Sequence, residues 1–167
     1  MEPLRIELLQ RMPIFGAIRD DTLEFLLEQV REVNVGAGEF FFREGDRADS
    51  MFVLVSGDVA ILRGWRGHEL LLHYLKAGDC FGEMALLDLF PRSASVRAHT
   101  ACNALELGST DLYRLFERDA EQFALIQMNI GREISRRLRY TDEQLFRARM
   151  GEVLEAPERL VTRPAEL

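Results

Sequence analysis

Cysteine is nearly absent, with only Cys80 and Cys102 in 167 residues. Two thiols in apolar surroundings cannot build a disulfide framework, and a reduced, cytoplasmic setting is the expectation. No apolar run reaches the roughly 18 residues that a membrane-spanning helix needs. The opening Met1-Glu2-Pro3-Leu4-Arg5 lacks the basic-then-apolar order of a secretory signal. Positive charge is also scarce, the net charge being −7. A polyanion is repelled by such a surface, so direct nucleic-acid binding is not expected. Arg136, Arg137 and Arg139 form the one tight basic cluster, flanked by Glu133, Asp142 and Glu143, and read as a solvated helix face.

The same scarcity excludes much catalytic chemistry. The histidines are His68, His73 and His99, none in the His-x-His spacing of a cupin metal site. Ser56 and Ser109 are turn residues without a histidine nearby, and no Gly-x-Ser-x-Gly occurs. The chain is not expected to be an enzyme or to bind a metal. Repeats of solenoid length are missing too.

What is present falls into three regions. Leu4, Leu8 and Leu9 recur at helical spacing until Met12-Pro13 ends the turn. Asp21-Thr22-Leu23-Glu24 then reads as a capping box opening a second helix, with Leu23, Leu26, Leu27 and Val30 on its buried face. The middle third is β: Val33–Val35, Phe40–Phe42, Met51–Val55, Val59–Leu62, Leu70–Leu75, Ser93–Ala98 and Cys102–Leu107, punctuated by glycine turns. Strands at this spacing predict an antiparallel sandwich or jelly roll rather than βαβ units.

The last third is helical again, with a short helix over Asp111–Phe116 and a long one from Asp119 to Met150. Ile126, Ile130, Ile134, Leu138, Thr141 and Leu145 fall on one stripe of the long helix. That stripe packs either on the chain's own barrel or on a symmetric partner helix, and the homodimer is preferred. The expected organisation is therefore helices plus barrel over 1–118, a lid or dimerisation helix over 119–150, and a frayed tail over 151–167.

The chemistry concentrates in Phe81-Gly82-Glu83-Met84-Ala85-Leu86-Leu87 and Pro91-Arg92-Ser93-Ala94-Ser95-Val96. A turn glycine precedes a short run of helix formers, whose first amides lack intrahelical partners and suit an anion. Arg92 supplies a fork of donors for two phosphate oxygens, and Ser93 a hydroxyl. Glu83 is placed to accept from a ribose hydroxyl. Together they predict capture of a phosphate-bearing nucleotide.

FGEMALLDLFPRSASVRA resembles the phosphate-binding cassette of the cyclic nucleotide-binding domain family, the group that includes catabolite activators and protein kinase A regulatory subunits. REGDRADSMFVLVSGDVAI, with Gly45, Asp46 and Gly57, and LKAGDCFGE are similar to its other signatures, so the likeness runs from about Met12 to Phe146. The resemblance implies a mainly β jelly-roll barrel with N-terminal helices and a long C-terminal helix. It implies that the amides of Gly82, Glu83 and Ala85 approach a cyclic phosphate, that Glu83 accepts from the ribose 2′-hydroxyl, and that Arg92 neutralises the phosphate.

On the same resemblance, Ser93 touches the phosphate or a guanine amino group, and Met84 and Ala94 belong to the same binding set. Arg136-Arg137-Leu138 and Thr141 match residues near an adenine ring, Thr141 bonding a base edge. Cyclic AMP is favoured over cyclic GMP on family grounds, with another phosphate-bearing ligand left open. The expected function is a sensor that repositions its last helix and reports to an unknown downstream protein. The alternatives are a non-binding scaffold of the same fold and the sensor piece of a larger transcription regulator. The catabolite activator branch continues with a helix-turn-helix module that is not expected here.

Overall fold

The structure, a computed structural model, describes residues 3–150 and 161–162. Helix α1 (Pro3–Gln10) leads through a 3-10 turn at Pro13–Phe15 into α2 (Asp20–Gln29). Eight strands follow: β1 (Arg31–Val35), β2 (Phe40–Phe42), β3 (Ser50–Ser56), β4 (Asp58–Trp65), β5 (His68–Lys76), β6 (Cys80–Phe81), β7 (Ser95–Ala98) and β8 (Cys102–Gly108). Helix α3 (Met84–Asp88) lies between β6 and β7, and α4 (Ser109–Arg118) and α5 (Ala120–Arg149) follow β8. A two-residue strand, β9 (Val161–Thr162), pairs with β5 at Glu69 and Leu70. The rest of the expected tail lies outside the described residues.

Every strand pair among the described residues is antiparallel. One sheet runs β1-β8-β3-β6 and the other β2-β7-β4-β5-β9, giving the expected antiparallel jelly roll flanked by helices. The side-chain period of two explains how the first sheet serves two cores. On β3, Phe52 and Leu54 point into the sandwich with Val59, Ile61, Val96 and Ala104. Met51 and Val53 point the other way, against Leu23, Leu26, Leu115, Ile126 and Ile130 of the helices. Strands β4 and β5 join through Arg66 and Gly67, both at positive φ (49° and 80°), which matches the twist of a two-residue hairpin turn.

The expected capping box at Asp21–Glu24 does not form. The N-cap lies two residues earlier, at Arg19, with no side-chain cap. A tertiary bond fixes that corner instead: the Arg19 amide donates to Gln122 Oε1 of α5 at 2.9 Å. Asp119 does cap the long helix, accepting from the Gln122 amide at 3.0 Å.

The apolar stripe of α5 divides in two. Ile126 and Ile130 are fully buried on the chain's own core and Ile134 packs beside them, whereas Leu138 and Leu145 are exposed. Packing on the barrel thus accounts for the first half of the stripe alone.

Candidate functional site

A cavity of about 390 Å³ opens between the cassette (residues 82–94), strands β4 and β5, and α5. Six of the eight expected site residues line it directly beside one another: Gly82, Glu83, Met84, Ala85, Arg92 and Ser93. Ala94 is the seventh. Thr141 is not brought there by its own chain. It is exposed, and its hydroxyl donates back to the Arg137 carbonyl one helical turn earlier, at 3.0 Å.

The loop between β2 and β3 fixes the cassette's outer end. The Gly45 amide donates to the Arg92 carbonyl at 2.8 Å, and the Arg92 amide to the Asp46 carbonyl at 2.9 Å. The Glu44 amide donates to Ser95 Oγ at 2.8 Å. At the inner end Gly82 sits at φ +79°, and a Cβ there would come within 2.5 Å of Arg92 Nη1. Glycine is required twice over, by the backbone and by the guanidinium pressed against it.

Arg92 is buried, with its guanidinium 4.0 Å over the Phe42 ring. Nη1 donates to the carbonyls of Ser50 (2.7 Å) and Gly82 (3.0 Å), and Nη2 to Ser50 Oγ (3.3 Å). A guanidinium carries five N–H groups in a rigid fork. Three are therefore used by the protein, leaving Nε–H and the second Nη2–H, which share the other edge of the plane. Nε is buried without a hydrogen-bond partner among the described residues. A buried donor left unpaired is costly unless an acceptor arrives, and the side-by-side geometry of this edge fits two oxygens of one phosphate. Burial pulls the Arg92 pKa below its ordinary value, with Asp49, Glu106, Asp46 and Glu83 opposing.

Glu83 stands at the N-cap of α3, 4 % exposed. Its Oε1 accepts from Arg137 Nη1 of α5 at 2.9 Å. Arg137 also donates to the Cys80 carbonyl and lies 3.3 Å from Glu133. Burial raises the Glu83 pKa, and the Arg137 charge opposes it. For Arg137, burial pulls downward, but Glu83, Cys80 and Glu133 more than offset it and the value is raised.

Arg137 therefore departs from the solvated face expected of the basic cluster. Arg136 and Arg139 do remain exposed. Arg137 is the site residue that sequence reasoning left out of the binding set, and its place in the Arg-Arg-Leu run was the available signal. The walls of the cavity were missed as well. Ile61, Arg63, Leu72 and His73 come from β4 and β5, and Phe42 from β2. Burial, then Arg137, holds the His73 imidazole below its ordinary pKa.

The profile of the family described as "Cyclic nucleotide-binding domain" matches residues 32–119, more than half of the chain. A cAMP-activated global transcriptional regulator of Salmonella typhimurium is 32% identical over 128 residues, covering 75% of this chain and 59% of that protein. A cAMP-dependent protein kinase regulatory subunit of Emericella nidulans is 34% identical over 107 residues, 64% of this chain and 26% of that one. Among solved structures, the catabolite activator protein of Thermus thermophilus superposes with a TM-score of 0.70 at 30% identity, over 80% of this chain and 61% of that one. The chain thus spans about three fifths of the bacterial regulators it matches. It is a member of the cyclic nucleotide-binding domain family, whose domains are regulatory rather than catalytic.

Proposed function

We propose that this domain senses cyclic AMP in preference to cyclic GMP, and that capture of the nucleotide repositions α5. The observation that carries the reading is the unpaired, buried Nε of Arg92, a residue that lines a cavity of about 390 Å³ together with Glu83. That volume falls within the ~300–1,000 Å³ of small-molecule sites. Arg92 and the Gly82–Ala85 amides take the cyclic phosphate, with Ser93 and Ala94 beside it, and Glu83 takes the ribose hydroxyl. No metal is called for.

The link to α5 is Glu83 itself. Its partner within the chain is Arg137, so a ribose hydroxyl arriving at Glu83 changes what α5 is tied to. A ligand shifts a helix only through contacts that differ between two helix positions, and this ion pair supplies such a difference. The exposed half of the apolar stripe supports a homodimer through α5, in which Thr141 reaches a base across the seam. The organisation follows: 1–118 binds, 119–150 responds, and an unidentified protein downstream reads the change in a cytoplasmic setting. Because the chain spans 59% of the bacterial regulator, the sensor piece of a larger transcription regulator is the second reading.

Isothermal titration with cyclic AMP and with cyclic GMP, repeated on Arg92→Ala, tests the proposal. Saturable binding of the wild type, tighter for cyclic AMP, is expected. Losing one partner of a desolvated charge pair costs about 2–5 kcal/mol, so the variant should bind well over tenfold more weakly. A loss below tenfold removes Arg92 from its role. No binding of either nucleotide leaves a scaffold of this fold.

A further inference from the structure

The inner faces of three neighbouring strands change character at one end of the sandwich. On β1 the inward positions are Val35, Val33 and then Arg31; on β8, Cys102, Ala104 and then Glu106; on β3, Leu54, Phe52 and then Ser50. Three adjacent strands turn polar at the same end, where Arg92 enters. Arg31 and Glu106 are register partners, as are Phe52 and Glu106.

These residues form one chain of hydrogen bonds. Arg92 Nη2 donates to Ser50 Oγ at 3.3 Å, Ser50 Oγ donates to Glu106 Oε1 at 2.8 Å, and Arg31 Nε donates to Glu106 Oε2 at 2.8 Å. A serine hydroxyl has a single proton. Because Glu106 takes it, the hydroxyl turns its lone pairs to Arg92 and can serve the guanidinium only as an acceptor. Ser50 thereby occupies the Nη1–Nη2 edge with its carbonyl and its hydroxyl together, and the Nε edge is the one left without a partner among the described residues. Among the described residues Arg92 has no carboxylate bonded to it directly; Glu106 is joined to it through the Ser50 hydroxyl, while Asp49 and Asp46 act through space.

We propose that Glu106, acting through Ser50, is a positioning residue for nucleotide capture: it fixes which edge of Arg92 faces the phosphate. The inference rests on the proposed cyclic nucleotide site and adds to it a residue on the far strand, 14 positions beyond Arg92 in sequence. Arg31, largely exposed, closes the outer end of the relay and matters less.

The test is a double-mutant cycle on cyclic AMP affinity, with Glu106→Gln, Arg92→Lys and the double variant compared by titration. Glutamine keeps the size while removing the charge, and its amide can turn an NH2 to Ser50, so the hydroxyl is no longer held as an acceptor for Arg92. A lysine ammonium has no second edge to select. Glu106→Gln alone is expected to weaken binding about tenfold, an effect of about 1.4 kcal/mol. In the Arg92→Lys background the same change is expected to cost less than about twofold, since contacting residues in one network are non-additive. Ser50→Ala should reproduce the Glu106→Gln loss, and a native circular-dichroism signal for each variant keeps misfolding apart from lost affinity.

A Glu106→Gln loss below about twofold in the wild-type background overturns the inference while Arg92→Ala still upholds the site. A tenfold loss persisting beside Arg92→Lys overturns it as well, because Glu106 would then act without Arg92. Wild-type protein that binds no cyclic nucleotide sinks the site and this inference with it.

Discussion

The two halves of α5 are the same helix under different conditions. From Ala120 to Ile130 it is a core element: Gln122, Ile126, Asn129 and Ile130 are buried. Asn129 Nδ2 donates to the carbonyls of Ile14 (3.1 Å) and Gly16 (3.0 Å), holding the 3-10 turn against the helix. Beyond Arg137 the helix carries Leu138, Tyr140, Leu145 and Phe146 at 51–65 % exposure. Arg137 stands between, tied to Glu83 of the cassette. Stability is thus concentrated in the first half, while the second half has little to hold it among the described residues. A helix built this way suits a switch, because moving its second half sacrifices no core.

The largest expected difference comes from truncating the same stripe on either side of Arg137. Ile130→Ala removes a fully buried side chain and should destabilise the fold by about 2–5 kcal/mol in urea unfolding. Leu145→Ala, measured on dilute protein, should stay within about 0.5 kcal/mol of wild type. Under the proposed dimer it should instead weaken self-association in sedimentation. Equal losses for the two variants would erase the distinction between the halves.

Cutting the joint comes next. Arg137→Ala leaves Glu83 buried without its cation, a change worth about 3–5 kcal/mol for a fully buried pair. Arg137 keeps 27 % of its side-chain surface, so about 1–3 kcal/mol is the expected loss. The pH dependence has a definite sign. Burial raises the folded pKa of Glu83, so between the ordinary carboxyl value and the raised one the folded chain holds a proton that the unfolded chain has released. Stability from this group therefore falls as pH rises through that window and is flat above it. The wild-type stability minus that of Glu83→Gln, followed across acidic pH, should fall through the window. In Arg137→Ala the opposing charge is gone and the window should extend to higher pH. A difference that rises with pH would show that the pair outweighs burial.

Much of this was legible in the chain, and the misses share a cause. Period-two alternation and glycine turns located seven strands to within a few residues. Strand β6 escaped because two residues, Cys80 and Phe81, carry no period and are strands only by pairing with β3. Gly82, Glu83 and Arg92 were legible because their relation is local, all lying within eleven residues of one another. The Glu83–Arg137 pair joins residues 54 apart, and the Arg19–Gln122 bond that replaced the capping box joins residues 103 apart. Local pattern cannot rank a tertiary partner against solvent, so Arg137 read as a solvated charge and Asp21 as a cap. The split of the α5 stripe is similar: Ile130 and Leu145 look alike in sequence, and only the fold's extent separates them.

The smallest effect lies at the boundary itself. Gly131 follows Ile130, and a Cβ built there meets nothing within 4 Å. Glycine inside a helix costs about 0.5–1 kcal/mol relative to alanine through its unfolded-state freedom. Gly131→Ala should therefore stabilise the chain by about that amount in urea unfolding, acting through the unfolded chain alone. A stabilisation at low protein concentration that vanishes or reverses as concentration rises would mean that a second chain's helix comes close at Gly131, placing the dimer seam nearer the core than Leu138. A uniform stabilisation at all concentrations keeps the proposed seam away from Gly131.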